Sequence, residues 1–313
     1  MGAQYTSNIA ECQQDATLMG SHLNSWQDIK GFPYFPTGTG SLLQKCLTKD
    51  IWEQCKDRRD KFGFTFRQCI FSGAKWTSSG VGVYAGSHDS YYAFAPFLDK
   101  IIEAYHGHKP SDKHISSMDY KELNCPPFPA DEDKMINSTR IRVARNLADY
   151  PLGTAVTRQQ RKEIEKLVVS ALNEFDGELK GKYYSLETMT DAERKQLIAD
   201  HFLFKGGDKY LESAGLERDW PEARGIFHND AKTFLVWVNE EDQLRIISMQ
   251  NGSNILEVFK RLSVASSKIE EKAKFANDEH FGYISTCPTN MGTGLRASVH
   301  IHLPKLQKNP DLH

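Results

Sequence analysis

Residues 287–302, CPTNMGTGLRASVHIH, place a cysteine, a glycine-rich turn, an arginine and two histidines within sixteen positions. Three chemistries fit these residue types. Cys287 as a covalent nucleophile requires a base and an orienting group that the sequence does not locate. His300 and His302 as metal ligands require a third Cys, His or acid, and none stands nearby in sequence. The third reading is an anion cradle. A strand over 295–303 alternates, sending Leu295, Ala297, Val299, Ile301 and Leu303 to one face, expected to be the core face. Arg296, Ser298, His300 and His302 go to the other. Residues 138–143 repeat the device, with Thr139, Ile141 and Val143 inside and Ser138, Arg140 and Arg142 outside, and a third strand offers Arg245. Guanidinium forks on three strands suit phosphate oxygens. A merely solvated face is the default for such strands. Here, however, arginine recurs with no acid between, which favours the cradle. Cys287 lies between a strand and the turn, so its sulfur is expected at an exposed edge of the site, with a packed cysteine as the plain alternative.

Asn239-Glu240-Glu241-Asp242 concentrates acids at the end of an apolar strand. Turns favour Asn and Asp on conformational grounds alone. A carboxylate beside an arginine cluster would also bind a cationic group able to accept a phosphoryl.

The elements that must position these residues fall into two regions. From Ser41 to about His108 the apolar spacing is helical: Ile51, Trp52 and Cys55 follow a Thr48 cap, and Tyr91, Phe94, Phe97, Leu98, Ile101, Ile102 and Tyr105 recur behind Asp89. Pro110–Asp133 reads as an extended connection. Beyond it, capping boxes at Thr157–Gln160 and Thr190–Glu193 open amphipathic helices, and Ile255, Phe259, Leu262 and Ile269 mark a third. Strands are expected over 136–143, 233–238, 244–249, 283–286 and 295–303. The fold class is α+β: a small all-helical domain at 41–115 after a disordered leader at 1–40, a linker at 116–133, and an antiparallel sheet flanked by helices at 134–313.

Lys plus Arg number 39 against 41 Asp plus Glu, so no general footprint for nucleic acid or an anionic membrane exists. Six scattered cysteines without CxxC spacing suit a reduced, cytoplasmic chain. No apolar run approaches the roughly 18 residues of a membrane span. The N-terminal MGAQYT fits the pattern for myristoylation of Gly2, and Cys12 offers a second acylation point, but no Lys or Arg precedes Lys30 to supply a basic second signal.

Taken together, SGVGVY (79–84), STRIR (138–142), DHFLF (200–204), RGIFH (224–228), WVNEED (237–242), RIISMQ (245–250) and the opening stretch resemble the phosphagen kinase family in its arginine-specific branch, over about residues 41–313. The resemblance implies reversible transfer of the ATP γ-phosphoryl to the guanidino group of L-arginine. ATP and ADP would enter with Mg2+ carried by the nucleotide, and the chain would be a monomer or homodimer. It implies nucleotide contacts from Ser138, Thr139, Arg140, Ile141, Arg142, His201, Arg245, Arg296, Ala297, Ser298, Val299 and His300. Arg245 would also be catalytic, Glu241 would orient the guanidinium and take its proton, and Cys287 would position it as a thiolate. Ser79, Gly80, Val81, Gly82 and Tyr84 would receive the amino-acid end. Ser78 and Lys209 stand where family members carry an interdomain acid and arginine, so that ion pair is expected to be lost; Gln243 and Met291 are milder departures. Family members continue past the equivalent of Leu303 through a mobile Arg-Gly-Thr loop. Its absence here implies impaired turnover, with a silent binding protein as the alternative.

Overall fold

The structure, a computed structural model, describes residues 29–304 and 306–308. Gly2 and Cys12 lie outside the described residues, as does the leader up to Asp28. Residues 29–40 form neither helix nor strand, yet Ile29 and Phe35 pack on the helical core, and Arg67 Nη1 donates to the Ile29 carbonyl at 2.9 Å.

Five helices follow: Leu42–Cys46, Lys49–Cys55, Phe66–Lys75, His88–Ala93 and Ala95–His106. Thr48 caps the second as expected. The stripe from Tyr91 to Tyr105 is two helices, because the chain leaves helical geometry at Phe94, and Ser87 rather than Asp89 is the cap. Gly82, at φ +79°, passes so close to Gly73 that a Cβ on Gly73 would lie 2.4 Å from the Gly82 backbone. This contact fixes the 79–84 loop against the Phe66–Lys75 helix.

The second region is built on six antiparallel strands: β1 (Ile136–Arg145), β2 (Gly181–Ser185), β3 (Gly225–Asn229), β4 (Phe234–Val238), β5 (Leu244–Asn251) and, after the short pair β6 (Asn277–Asp278) and β7 (Gly282–Tyr283), β8 (Leu295–Ile301). The order across the main sheet is β2-β3-β4-β5-β1-β8. One face, with Ile141, Val143, Phe227, Phe234, Val236 and Ile246, packs on the helices Arg158–Leu172 and Ile255–Glu270. On the other face Ile226, Leu235 and Ile247, flanked by Tyr184, Trp237 and Met249, pack under Leu197, Leu203 and Phe204. Toward β1 and β8 that face turns cationic. Both capping boxes form.

Four expectations change. The apolar side of β8 is not core: Val299, Ile301 and Leu303 are 38%, 48% and 38% exposed. As the edge strand, β8 lies beyond the two covering helices. The 283–286 strand shrinks to Gly282–Tyr283, because Thr286 N donates to the Asp242 carboxylate (2.7 Å) instead of joining a ladder. The 110–133 connection carries a 3-10 turn at Tyr120–Glu122 and a helical turn at Ala130–Asp133. Strands β2 and β3, short and mixed in polarity, had no clear periodic signal.

The two regions meet at several points: Ala85 N donates to Thr286 O (2.8 Å), Tyr91 Oη to Ser285 O (2.8 Å) and Thr154 Oγ1 to Ala85 O (2.6 Å). At the place of the expected lost ion pair, Ser78 Oγ and Tyr210 Oη are 3.0 Å apart, and Lys209 Nζ lies 5.0 Å from the Trp76 ring. Trp76 Nε1 donates to Ser213 Oγ at 2.6 Å. Hydroxyl and cation–π contacts thus hold this part of the seam.

Candidate active site

Register places the arginines. Arg142 on β1 faces Arg296 on β8, and Ala144 faces Arg245 on β5, so the three guanidinium stems leave the same side of the sheet. They line a cleft of about 600 Å3 closed on the helical side by Tyr105 and His106 and along its floor by Thr289 to Arg296. Arg140, one pair further along β1, has a buried Nε without a partner. Burial, then Arg245, Arg140 and Arg296, brings Arg142 down to about 10, and burial with Arg245 and Arg296 lowers Arg140. Cations forced together in this way are relieved by an anion of several charges, which is the property a triphosphate site requires.

Of the expected nucleotide residues, Ser138 and His300 join the arginine face, with Ser138 Oγ 2.9 Å from His300 Nδ1, and Ser298 lies between them. Thr139, Ile141, Ala297 and Val299 project from the opposite face. Toward a ligand on the arginine side they can offer only backbone. His201 is exposed, at φ 62°. Its neighbour Phe202 accepts from Trp237 Nε1 (2.7 Å), and the Trp237 ring lies 5.8 Å from Arg245. His201 is thus near the cleft through its loop, with no direct contact to the arginines shown.

Arg245 joins this cationic half to an acidic one. Its Nη2 is 2.8 Å from Glu241 and 3.5 Å from Glu240. Burial first, then Asp242, pushes the Glu241 carboxyl up to about 7 despite Arg245. The 239–242 tip is no wet turn. Asn239, at φ 57°, donates to the Arg161 and Ala223 carbonyls, and Asp242 accepts from Asn146 Nδ2 (2.7 Å) and Thr286 N (2.7 Å). Gln243 is buried, accepting from Leu147 N (2.7 Å) and donating to Pro151 O (2.8 Å). Asp242 and Gln243 therefore clamp the tip on which Glu241 stands. Neither role is legible in the sequence, because both residues sit in what looks like a polar hairpin turn.

Cys287 is buried, 6% exposed, not at an open edge; its Sγ is 3.1 Å from Thr289 Oγ1. Burial, then the neighbouring Glu241, pushes the thiol up to about 12, so in this state it is protonated and not a thiolate. Tyr84 is raised by burial and by the nearby Cys287, Glu241, Asp208 and Glu240, which shows that the 79–84 loop, the acidic tip and the cysteine share one small region. In that loop Gly80 O and Val81 O accept from Leu42 N (2.9 Å) and Leu43 N (3.0 Å), and Ser79 is buried. Among the described residues, no three His, Cys, Asp or Glu side chains gather as a metal would need, and no helix is long and apolar enough to cross a membrane.

A helical cap, an antiparallel sheet, an arginine cleft and an acidic tip define a phosphotransferase architecture. Residues 37–103 match the ATP:guanido phosphotransferase N-terminal domain, and residues 163–313 match the ATP:guanido phosphotransferase C-terminal catalytic domain. The chain belongs to the ATP:guanido phosphotransferase, or phosphagen kinase, family. It is 49% identical over 270 residues to an arginine kinase of Limulus polyphemus, covering 86% of this chain and 75% of that protein. With an arginine kinase of Polybetes pythagoricus it shares 48% over 274 residues, 87% of this chain and 76% of the relative. An arginine kinase of Anthopleura japonica is 49% identical over 272 residues, and the match spans 87% of this chain but only 38% of that protein. Among solved structures it is similar to a lombricine kinase (TM-score 0.83, 35% identity, 90% of this chain and 78% of that one). A duplicated taurocyamine kinase of Schistosoma mansoni gives TM-score 0.80 at 36% identity, covering 88% of this chain and 39% of that one.

Proposed function

We propose that this chain catalyses reversible transfer of the MgATP γ-phosphoryl to the guanidino group of L-arginine. The observation that carries the proposal is the bridge that Arg245 makes between a cleft of mutually repelling arginines and a buried acidic tip. In this reading Arg140, Arg142, Arg245 and Arg296 take the triphosphate, and Mg2+ arrives on the nucleotide. The arginine forks neutralise charge on the transferring group and hold it in line. Glu241 faces the guanidinium. The incoming cation favours its ionised form, and as the N–P bond forms and the bond to the ADP oxygen breaks, Glu241 takes the guanidinium proton. Cys287, a thiol near Glu241, would border the same subsite, and an arriving guanidinium would lower its pKa. The 79–84 loop receives the amino-acid end of the substrate.

The test is a coupled assay for ADP on the purified 313-residue chain with MgATP and L-arginine, creatine, taurocyamine or no acceptor. Arginine-dependent ADP is the expected result. ADP formed equally without acceptor, or only with another guanidino compound, would remove the arginine assignment. The open side of β8 favours a second reading, binding without turnover. Arg296 is on this exposed edge strand, so water reaches the phosphate subsite from that direction. Under that reading the folded chain binds MgATP but gives no arginine-dependent ADP.

A further inference from the structure

The seam between the helical region and the Asn277–Tyr283 hairpin is lined by histidines that phosphoryl transfer does not use. His108 Nε2 is 3.3 Å from His280 Nδ1, with ring centroids 4.9 Å apart. His280 Nδ1 also faces the Asp112 carbonyl, which can only accept, so Nδ1 carries the proton and His108 Nε2 must be bare. A proton on His108 Nε2 would set two N–H groups and two like charges against each other. His114 fills the space that a Cβ on Gly282 would need, 2.4 Å from its Cδ2. Its Nε2 is buried without a partner, and burial, then His108 and His106, lowers its pKa. His106 Nε2 donates to Pro288 O at 2.8 Å, directly after Cys287. His106, His108 and His114 line a cavity of about 260 Å3 that shares His106, Met291 and Thr293 with the arginine cleft.

We propose that this imidazole cluster is a proton-operated latch between the helical region and the 277–294 segment that carries Cys287. Its regulatory consequence rests on the reading of the adjoining cleft as the transfer site. With neutral rings the latch is closed. As pH falls through the ordinary histidine range near ~6.5, opening the segment lets His114 take up a proton that its burial in the closed cluster disfavours, and the contact is lost. The acids around it are engaged or offset this only in part. Asp112 accepts from Lys109 N, Glu279 pairs with Lys113, and Asp278 is held by His88 and Tyr92. His88 is turned to Asp278, and Asp99 faces His280, so the weight of opening falls on His114, whose buried Nε2 has no partner. Forward transfer to a guanidinium releases a proton, so the reaction would open the latch on its own site.

Hydrogen–deuterium exchange of the full chain without nucleotide or arginine, at pH 8 and pH 6 and corrected for intrinsic rates, tests the latch independently of turnover. Amides of 277–294 should exchange about tenfold faster at pH 6, as a local opening does, while those of Ile141–Val143 should exchange no faster than at pH 8. The difference should vanish in the double variant His108→Gln, His114→Gln. Equal protection of the wild type at both pH values would overturn the latch. So would a pH effect that persists undiminished in the variant. The wild-type comparison stands even if the variant does not fold, and inactivity toward arginine would leave it untouched.

Discussion

Strands β1 and β8 carry the same alternation, arginine on one side and apolar residues on the other, and they lie side by side, yet they meet different fates. On β1, Ile141 and Val143 are 2% and 0% exposed beneath the Ile255–Glu270 helix; on β8, Val299 and Ile301 are open to solvent. Alternation fixes which face a side chain takes, while burial depends on what lies across that face, and β8 sits past the helix that covers β1. The same contrast governs the arginines. Arg142 is half-buried among other cations, whereas Arg296 projects from an exposed edge strand.

The contrast can be broken most forcefully by stability. Ile141→Ala should cost about 3 kcal/mol in urea unfolding, as a buried aliphatic truncation does. Val299→Ala should stay within roughly 0.5 kcal/mol. Equal losses would mean that β8 is as well packed as β1. Next, Arg142→Ala should lower kcat/KM for MgATP by about 100-fold, the order for removing one preorganised charge at a phosphoryl. Arg296→Ala should cost less than about tenfold, since water screens an exposed cation.

Glu241→Gln sharpens the contrast on the covered side and should cost at least about tenfold in rate. The pH dependence has a definite sign. With Glu241 raised from 4.5 to about 7, the folded, substrate-free chain holds a proton that the unfolded chain releases. This contribution to stability is present below 4.5 and lost as pH rises to about 7. Equilibrium unfolding at pH 5 and pH 8 should show that loss in the wild type and a flatter profile in Glu241→Gln, while arginine-dependent ADP formation rises through pH 7. The smallest expected effect is Thr157→Ala, which removes the cap of the Arg158–Leu172 helix on the covered face of the sheet. It should cost about 1 kcal/mol and leave exchange at β8 unchanged.

Much of this was legible in the sequence. The capping boxes at Thr157 and Thr190, the third helix and the side taken by each arginine follow from periodicity, because these are local properties of a chain with strong patterning. The burial of Cys287 and of the 239–242 tip was not legible. Both depend on Asp242 reaching Asn146 and Thr286, a contact across 44 residues of chain on one side and 96 on the other. Polar residues that look like a solvated turn became a buried clamp for the same reason. His106 was hidden in the last turn of a helix, where its register alone gives no hint that it reaches Pro288.

In the proposed mechanism, two chemically distinct subsites meet at Arg245. Calorimetric titration of MgATP and of L-arginine into the wild type, Arg142→Ala and Glu241→Gln separates them. Arg142→Ala should weaken MgATP and spare arginine, and Glu241→Gln should do the reverse. If both substitutions weakened the same ligand and left the other untouched, the division into a phosphate cleft and a guanidinium tip would be wrong.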